Sequence, residues 1–333
     1  MIGIDNGREG LKMNTSLKPS PVIIDTDMAP DDWMAILYLL TSPHAEVRAI
    51  TVAATGEAHA GPGTRNALRL LKLADKTSVP VAHGREKPLR GDNGWPLSVR
   101  LAIDWRLGMG LPRTAQKPSS QTAVQLLISL IMQSPERMHL LALGPLTNLA
   151  EALQTEARLT DKIEQLTIMG GAVNVPGNIT PSGFKKLENH HAEWNIYCDP
   201  YAASVVFDSG LPVTLVPLDV TNTIPVTKAF RQRSQELQRT ASAQFVHKVL
   251  RRLKTLTGDR EYYFWDPLAA VLVTHADIGV YEHMPLKVVQ EEGPQDGRTL
   301  VAKDSSSVRV CTAVDNAQFE AVFLNTLNGL ADT

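Results

Sequence analysis

Short apolar runs alternate with amphipathic stretches over most of the chain. The runs are rich in valine, isoleucine and leucine, which is typical of buried strands. They lie at residues 22–24, 47–53, 79–82, 139–143, 165–169 and 213–216. Helical spacing of apolar residues is found at 31–40, 66–73, 121–133, 146–153 and 200–207, and in a long basic stretch at 227–254. This alternation predicts a single α/β domain with an open, mostly parallel sheet and helices on both faces.

Two long segments interrupt this alternation. Residues 84–120 are rich in glycine, proline and arginine, and residues 170–195 carry four glycines. Loops of this length inside a compact domain are usually functional. The first 20 residues are polar and lack the apolar core of a signal peptide. They are interpreted as a loose leader, with the domain at residues 21–333.

Composition narrows the class of protein. Of the 333 residues, 43% are hydrophobic and 20% are charged, which allows a sizeable core and excludes wholesale disorder. The net charge of −2 provides no attraction for nucleic acid or an anionic membrane. No apolar run is long enough to span a bilayer, so a cytoplasmic protein is expected. The two cysteines, Cys198 and Cys311, form neither a disulfide framework nor a zinc pattern.

Four aspartates follow the first apolar run: Asp25, Asp27, Asp31 and Asp32. The strand is expected to end at Asp25, and a helix to begin near Asp31. In an open α/β sheet, ligands bind at the carboxyl ends of the strands. Four carboxylates there repel one another strongly unless a cation lies among them. Oxygen ligands suit a hard cation such as Ca²⁺ or Mg²⁺, so the motif predicts a metal or catalytic site.

Two other interpretations of the motif are weaker. Asp31 and Asp32 would favour a helix N-terminus, but capping accounts for two of the acids and not for four. An Asp-x-Asp after a strand also occurs in phosphohydrolases of the haloacid dehalogenase type. Those enzymes have Thr or Val two positions after the second Asp, where this chain has Ala29.

Two further segments bring polar groups to the ends of predicted elements. At Leu143 an apolar strand meets Gly-Pro, and backbone carbonyls exposed there can ligate a hard cation. Taken alone, this segment is an ordinary strand-to-helix turn. Glu193 and Asn195 offer an acceptor and an amide to sugar hydroxyls, with Trp194 between them as an apolar wall. The alternative is a surface loop before a helix that begins at Pro200.

An aromatic run precedes Asp266 in a chain with only 5% aromatic residues. Asp266 is a candidate metal ligand, and Trp265 is a candidate stacking face for a flat base. Tyr262, at the start of the run, is a further candidate for binding the substrate. The alternative is the start of a core helix, with Asp266 as N-cap and Pro267 as the first helical residue.

Together these segments resemble the nucleoside hydrolase family, N-ribohydrolases related to the inosine-uridine-preferring enzymes. The similar motifs occur in family order from about residue 21 to the C-terminal region. They are Asp25-Thr-Asp-Met-Ala-Pro-Asp-Asp32, Thr64-Arg-Asn-Ala67, Leu143-Gly-Pro-Leu-Thr-Asn148, Met169-Gly-Gly171 with Gly177-Asn178, Ala192-Glu-Trp-Asn195, Trp265-Asp-Pro267 and Val314-Asp-Asn316. Each motif alone is only modest evidence for the family, but the motifs together are very specific for it.

The resemblance implies an open α/β enzyme that hydrolyses the N-glycosidic bond of ribonucleosides and holds one Ca²⁺. Asp27 is the implied base for the attacking water. Asp25 is implied to support the acidic cluster without being a ligand of the metal. The implied metal ligands are Asp27, Asp32, Asp266 and the Leu143 carbonyl. The implied ribose contacts are Asp31, Asn178, Glu193 and Asn195. Members of the family are often dimeric or tetrameric, so a homodimer or homotetramer is also implied.

The position before the last metal aspartate distinguishes branches of the family. Inosine-uridine-preferring members have an acidic His there, whereas this chain has Trp265, which is similar to the purine-preferring inosine-adenosine-guanosine branch. That branch has a second base-stacking Trp, which Trp105 resembles, with Trp95 as the alternative. Ala29 replaces an Asn of that branch. Glu57 stands where the family has Asn or Asp and is expected to face the sugar.

The sequence therefore predicts a Ca²⁺-dependent, purine-preferring nucleoside hydrolase acting on a small-molecule nucleoside. The alternative among enzymes is an N-ribohydrolase for pyrimidine or modified nucleosides. The non-enzyme alternative is a calcium-dependent ribose-binding module without turnover. The presence of both Asp27 and Asp32 argues against this alternative.

Overall fold

The apolar runs form one sheet. The computed structural model describes residues 18–104, 110–180, 188–258 and 261–331. Strands in these ranges are β1 (Ser20–Thr26), β2 (Ala45–Val52), β3 (Val81–His83), β4 (Met138–Ala142), β5 (Ile163–Met169), β6 (Val213–Val216), β7 (Gly279–Val288), β8 (Thr299–Val301) and β9 (Ser307–Val314). Their order is β3-β2-β1-β4-β5-β6-β9-β7-β8. All pairings from β3 to β9 are parallel, and β7 is antiparallel to both β9 and β8.

Helices connect the strands, as the amphipathic stretches predict. They are α1 (Pro30–Thr41), α2 (Ala60–Leu73), α3 (Leu97–Ala102), α4 (Ala123–Gln133), α5 (Thr147–Thr155), α6 (Trp194–Cys198), α7 (Pro200–Phe207), α8 (Leu218–Thr221), α9 (Lys228–Glu236), α10 (Ala241–Thr257), α11 (Trp265–Thr274) and α12 (Asn316–Leu327). Short 3-10 helices lie at Ala157–Asp161 and Ala276–Ile278. In the ranges that the structure describes, no helix is both long and apolar enough to cross a membrane.

The direction of strand addition reverses beside β1. β2 and β3 extend the sheet on one side of β1, and the chain then returns to place β4 on its other side. Asp25 is therefore paired with Thr51 of β2 and with Ala142 of β4. Ligands of open α/β sheets bind at such a reversal, outside the carboxyl ends of the strands. The aspartate motif lies at this point of the sheet.

Helix α1 carries Asp31 and Asp32 and is buried from its first residue to Leu40. A helix with apolar side chains on nearly all sides packs inside a protein. Accordingly, α1 contacts α10, α11 and α12 as well as β2. This packing fixes the position of both aspartates relative to the sheet.

The structure corrects some predicted boundaries near the N-terminus. β1 continues past Asp25 to Thr26, and α1 begins at Pro30. The third strand is displaced from residues 79–82 to Val81–His83, because the Val79 N–H is used in a turn to the Lys76 carbonyl. The boundary between leader and domain stays a prediction, since residues 1–17 lie outside the described ranges.

The C-terminal third departs more from the sequence pattern. The basic stretch at 227–254 contains two helices, α9 and α10, where one helical region was predicted. The break occurs because Thr240 caps α10, its Oγ1 accepting the Ala243 N–H at 3.0 Å. The antiparallel strands β7 and β8 and the parallel β9 were not predicted, because they lie outside the regular β–α alternation.

Candidate active site

Asp27 lies in a tight turn between β1 and α1. Met28 in this turn has a φ of 63°, a left-handed conformation that is strained for a residue with a side chain. Two hydrogen bonds hold it: the Met28 N–H donates to Thr26 Oγ1 at 3.0 Å, and Trp33 Nε1–H donates to the Met28 carbonyl at 2.9 Å. The Asp27 carbonyl accepts the Ala58 N–H at 3.0 Å. The turn thus fixes the Asp27 backbone against the loop that follows β2.

Four buried carboxyl groups meet at the N-terminal ends of α1 and α11. Carboxylate oxygens of Asp31, Asp32 and Asp266 all lie within 4.8 Å of one another. The Asp32 carboxyl also lies against that of Asp27. Thr26 Oγ1–H donates to Asp32 Oδ1, whereas no donor in the described ranges reaches Asp32 Oδ2, which is buried. Asp32 is therefore the centre of the cluster, and Asp27 joins it through Asp32.

This set of oxygens fits a hard cation. Adjacent buried carboxylates repel each other unless a proton or a cation lies between them. The buried Asp32 Oδ2 has no hydrogen-bond donor and is therefore available as a ligand. Every candidate ligand side chain is a carboxylate, the type that Ca²⁺ and Mg²⁺ prefer.

Burial raises the pKa of each acid in the cluster. Desolvation raises the pKa of Asp27 to about 7 and that of Asp31 to about 6. Desolvation, followed by the charges of neighbouring aspartates, holds the pKa of Asp32 and of Asp266 well above the usual range. Perturbed carboxyls grouped beside a cavity mark a functional site more often than a structural one.

Two more acids border the cluster. Asp25 Oδ1 accepts from Thr51 Oγ1–H at 2.6 Å and from Asn148 Nδ2–H at 2.8 Å, and desolvation raises the pKa of Asp25 to about 7. The Glu57 N–H donates to Asp27 Oδ2 at 3.1 Å. Desolvation, and then the charges of Asp27 and Asp31, raise the pKa of Glu57 well above its usual range.

Glu193 is held by backbone amides. Its Oε1 accepts the Asn195 N–H at 2.9 Å, and its Oε2 accepts the N–H groups of Gly171 at 3.0 Å and Ile196 at 3.2 Å. Glu193 therefore caps α6, a helix that precedes the one expected at Pro200. Desolvation outweighs these three hydrogen bonds and raises the pKa of Glu193 to about 7.

The Leu143 carbonyl and the two predicted asparagines meet beside Glu193. Asn195 Nδ2–H donates to the carbonyls of Leu143 at 3.2 Å and Met169 at 3.1 Å. A carbonyl oxygen has two lone pairs, so Leu143 retains one for a further partner. Asn178 Oδ1 accepts the Trp194 N–H at 3.2 Å. The structure thus brings three separate loops to one place.

A cavity of about 700 Å³ joins these groups. Its volume is within the range of small-molecule sites, about 300–1,000 Å³. Every residue predicted for the site that lies in the described ranges lines it: Asp27, Asp31, Asp32, Glu57, Leu143, Asn178, Glu193, Trp194, Asn195, Tyr262, Trp265 and Asp266. The sequence motifs therefore converge on one pocket, although their roles stay predictions.

Trp265 forms one aromatic wall of the cavity. It is half-buried, its ring centroid lies 4.8 Å from that of Tyr262 in an edge-to-face arrangement, and its Nε1–H donates to Asn222 Oδ1 at 3.0 Å. The Tyr262 hydroxyl hydrogen-bonds the Asp31 carboxylate. The prediction of a core helix start in this segment is confirmed, but α11 begins at Trp265, so Asp266 lies inside its first turn and is not its N-cap.

A second aromatic wall is formed by Trp95 and Trp194. Their rings stack with centroids 3.8 Å apart and an interplanar angle of 16°. Asn93 Nδ2–H donates to Asp296 Oδ2 at 2.6 Å, which ties the segment before Trp95 to the C-terminal part of the chain. Trp105 lies outside the described residues, so its position stays a prediction.

Sequence reasoning missed several residues that shape the site. Thr26 lies inside the aspartate motif and was recognisable as a donor to Asp32. Gly56 leaves room for Asp27, since a Cβ there would lie 2.2 Å from Asp27 Oδ2. Asn222 orients Trp265 from 43 residues away in the sequence, and no local pattern indicates that contact.

Comparisons with known proteins agree with this geometry. A model of the inosine-uridine preferring nucleoside hydrolase family matches residues 22–321. The chain is 37% identical over 216 residues to the pyrimidine-specific ribonucleoside hydrolase RihA of Enterobacter sp. (strain 638), covering 64% of this chain and 64% of that relative. It is 32% identical over 312 residues to uridine nucleosidase 1 of Arabidopsis thaliana, covering 90% of this chain and 87% of that protein.

Similarity extends to solved structures. The fold matches the purine-preferring ribonucleoside hydrolase from Gardnerella vaginalis with a TM-score of 0.79 and 26% identity, over 94% of this chain and 99% of the other. The chain therefore belongs to the inosine-uridine preferring nucleoside hydrolase family. The match to the bacterial RihA relative spans 64% of that relative's own length.

Proposed function

We propose that the chain hydrolyses the N-glycosidic bond of ribonucleosides, prefers purine nucleosides and uses one Ca²⁺. The observation that carries this proposal is the group of buried carboxyls around Asp32, which borders a cavity of about 700 Å³ walled by tryptophan and tyrosine rings. Polar groups on one side and flat apolar rings on the other match a sugar joined to a base.

Residues of the cluster would hold the cation. The proposed ligands are Asp27, Asp32, Asp266 and the Leu143 carbonyl, and the contact of Asp31 with Asp32 and Asp266 makes it a further neighbour of the ion. When bound, a divalent cation lowers the pKa of water and orients a sugar diol. Six to eight oxygen ligands in flexible geometry are usual for Ca²⁺, which favours it over Mg²⁺ in a cluster with this many oxygens.

Asp27 is the proposed general base. Water attacks the anomeric carbon, the bond from that carbon to the base nitrogen breaks, and Asp27 accepts a proton from the water. The position of its carboxylate, which lines the cavity and lies against that of Asp32, supports this role. The transition state has oxocarbenium character, and the surrounding carboxylates stabilise its positive charge.

Ribose hydroxyls are assigned to the polar side of the cavity, at Asp31, Asn178, Glu193 and Asn195. Each carboxylate oxygen can accept about two hydrogen bonds. Glu193 Oε1 accepts from a single backbone amide and keeps capacity for a hydroxyl. Glu57 lines the same side of the cavity and is assigned to the sugar as well.

We assign no side-chain acid to the leaving base. Among the described residues, no histidine lines the cavity, and the Trp265 indole is a donor that does not release a proton at useful pH. We assign Trp265 to stacking on a purine, whose N7 then takes a proton from solvent. Trp105 is the proposed second stacking face, and Trp95 and Trp194 extend the wall.

A second candidate specificity is pyrimidine ribonucleosides. It is favoured by two relatives whose names specify a pyrimidine or uridine substrate. Release of ribose from inosine, guanosine, adenosine, uridine and cytidine decides between the two specificities. The same assay tests the activity itself, because a ribose-binding module without turnover would release no sugar from any of them.

Removal of the cation is expected to stop turnover and lower stability together. A ligand that binds only the folded state stabilises it by about 2.7 kcal/mol when present at about 100 times its Kd. Dialysis against EDTA should therefore lower the Tm and abolish ribose release, and added Ca²⁺ should restore both. Full activity in excess chelator would contradict the proposed cofactor.

Gly56→Ala is expected to displace the Asp27 carboxylate, since the new Cβ would lie 2.2 Å from its Oδ2. Misplacement of a reacting group by about 1 Å costs about 10²-fold in rate, so kcat should fall by about that factor while the circular dichroism spectrum is kept. Gly94→Ala is the matched control, because nothing lies within 4 Å of its added Cβ. Equal rates in the two variants would contradict the placement of Asp27.

The cytoplasmic location and the homodimer or homotetramer stay predictions. Gel filtration with light scattering would measure the oligomeric state of the purified chain.

A further inference from the structure

Helix α3 forms part of the wall of the nucleoside cavity. Val99 on this helix and Ile103 just beyond it line the cavity. No residue of α3 is fully buried, and Leu97 and Leu101 are exposed. Most helices in proteins are held in place by burial of an apolar face. Polar contacts therefore contribute more than usual to the position of α3.

Arg100 on α3 makes two of these polar contacts. Its Nη2–H groups donate to the Ala54 carbonyl at 2.6 Å and to the Ala58 carbonyl at 3.1 Å. The Nε atom of the same side chain is buried, so this part of the guanidinium lies within the fold and not in solvent. Hydrogen bonds from a charged donor are roughly twice as strong as those between neutral groups. Arg100 therefore connects α3 firmly to both ends of the segment 54–58.

The segment 54–58 holds Asp27 at two points. The Glu57 N–H donates to Asp27 Oδ2 at 3.1 Å, and the Ala58 N–H donates to the Asp27 carbonyl at 3.0 Å. The two carbonyls that Arg100 binds belong to the same segment as these two amides. A shift of the segment therefore moves the donors that orient the Asp27 carboxylate.

A further contact joins the same two parts of the chain. Asp104, which follows α3, accepts the His59 N–H through Oδ1 at 3.1 Å, and its Oδ2 lies 2.6 Å from His59 Nδ1. His59 directly follows the segment 54–58. The contacts of Arg100 are the ones made within the segment itself, so Arg100 is the residue of this wall that acts on Asp27 most directly.

We propose that Arg100 is a positioning residue, which aligns the Asp27 carboxylate through the segment 54–58 and joins that segment to the cavity wall at α3. This inference rests on the function proposed above for Asp27. Arg100 does not itself line the cavity. It therefore acts on the reaction through the segment and not through contact with the substrate.

Arg100→Met keeps an unbranched apolar side chain and removes the donors. Misplacement of a reacting group by about 1 Å costs about 10²-fold in rate, so kcat for ribose release from inosine should fall by at least about tenfold. Arg100→Lys is expected to restore most of that loss, because one nitrogen makes both bonds and the Lys Nζ carries three donors. A Lys variant as slow as the Met variant would assign the loss to side-chain shape and overturn the proposal.

Hydrogen exchange of backbone amides tests the positioning without the reaction. In Arg100→Met the amides of Glu57 and Ala58 should exchange at least about tenfold faster, since the charged hydrogen bonds that hold their segment are lost. The amides of β5 should exchange as in the parent. A generally destabilised fold would raise exchange in both places.

Arg251→Met is the matched control, because it makes the same substitution at an exposed arginine of α10. It should match the parent in kcat and in exchange. A parent-like kcat in Arg100→Met, unchanged exchange at Glu57 and Ala58, or faster exchange throughout the chain would overturn the positioning role. Absence of ribose release from the parent would instead overturn the proposed function, and the exchange experiment alone would then decide whether Arg100 holds the segment.

Discussion

Asp27→Ala is expected to abolish ribose release and Ca²⁺ binding together. Asp27 is the proposed proton acceptor for the attacking water, and it lies against Asp32, the central carboxyl of the cluster. General bases contribute about 10²–10⁴-fold to a rate. Because a ligand of the cation is lost as well, kcat on inosine should fall by at least about 10³-fold. Assays of ribose release and calorimetric titration with Ca²⁺ measure the two losses on the same preparation.

The Tm of Asp27→Ala shows whether the variant has lost only a functional group or has a damaged fold. Removal of one of several crowded, buried carboxyls relieves repulsion, so the Tm of Asp27→Ala in EDTA should be at least that of the parent. The rise in Tm that the parent shows on addition of Ca²⁺ should be absent from the variant. Asp161→Ala, at an exposed aspartate, serves as the control and should keep that rise. Near-normal turnover of Asp27→Ala would remove Asp27 from the role of base.

Trp265→Ala is expected to slow purine cleavage far more than pyrimidine cleavage. Stacking of a base on an aromatic ring is worth about 1–3 kcal/mol. Loss of that stacking corresponds to about 5–150-fold in kcat/KM, and loss of N7 activation adds to it for purines only. We therefore expect at least about a 100-fold loss on inosine. Steady-state kinetics of parent and variant on inosine and uridine measure the difference.

Two companion variants show how Trp265 acts. Asn222→Ala removes the acceptor of the indole N–H and loosens the ring, so a smaller loss is expected. Trp265→Phe keeps an aromatic face and should retain more activity on inosine than Trp265→Ala. An unchanged inosine rate in Trp265→Ala would show that this residue only packs against Tyr262 and Tyr263. Comparable rates of the parent on uridine and inosine would contradict purine preference.

The regular part of the fold was readable from the sequence. Each run of apolar residues at 22–24, 47–53, 139–143, 165–169 and 213–216 falls on a strand, because a strand buried on both faces needs a continuous apolar segment. Because these strands alternate with amphipathic helices, each helix connects two parallel strands of the sheet. The antiparallel pairing of β7 with β8 and β9 was not readable, because strand pairing depends on the rest of the sheet and not on local pattern alone.

The chemistry of the aspartate motif could also be predicted from the sequence. The motif from Asp25 to Asp32 indicated a cation site, since its charges repel in any fold that brings a strand end and a helix start together. The later segments around Glu193 and Asp266 were ambiguous individually. The residues themselves made ribose and metal roles candidates beside structural ones, and resemblance to a family favoured the former, because spacing along the chain does not say which loops are neighbours in space.

The sequence alone determined the kinds of groups available: an acid-rich turn at the end of the first strand, a Gly-Pro turn after the fourth and an aromatic run before Asp266. Only the tertiary structure decided which of them meet. The reversal of strand order beside β1 places the ends of β1 and β4 side by side, and packing of α1 against α11 brings Asp32 to Asp266. The physical reason is that a site assembled across more than 200 residues depends on distances between elements, and those distances are set by packing of the whole core.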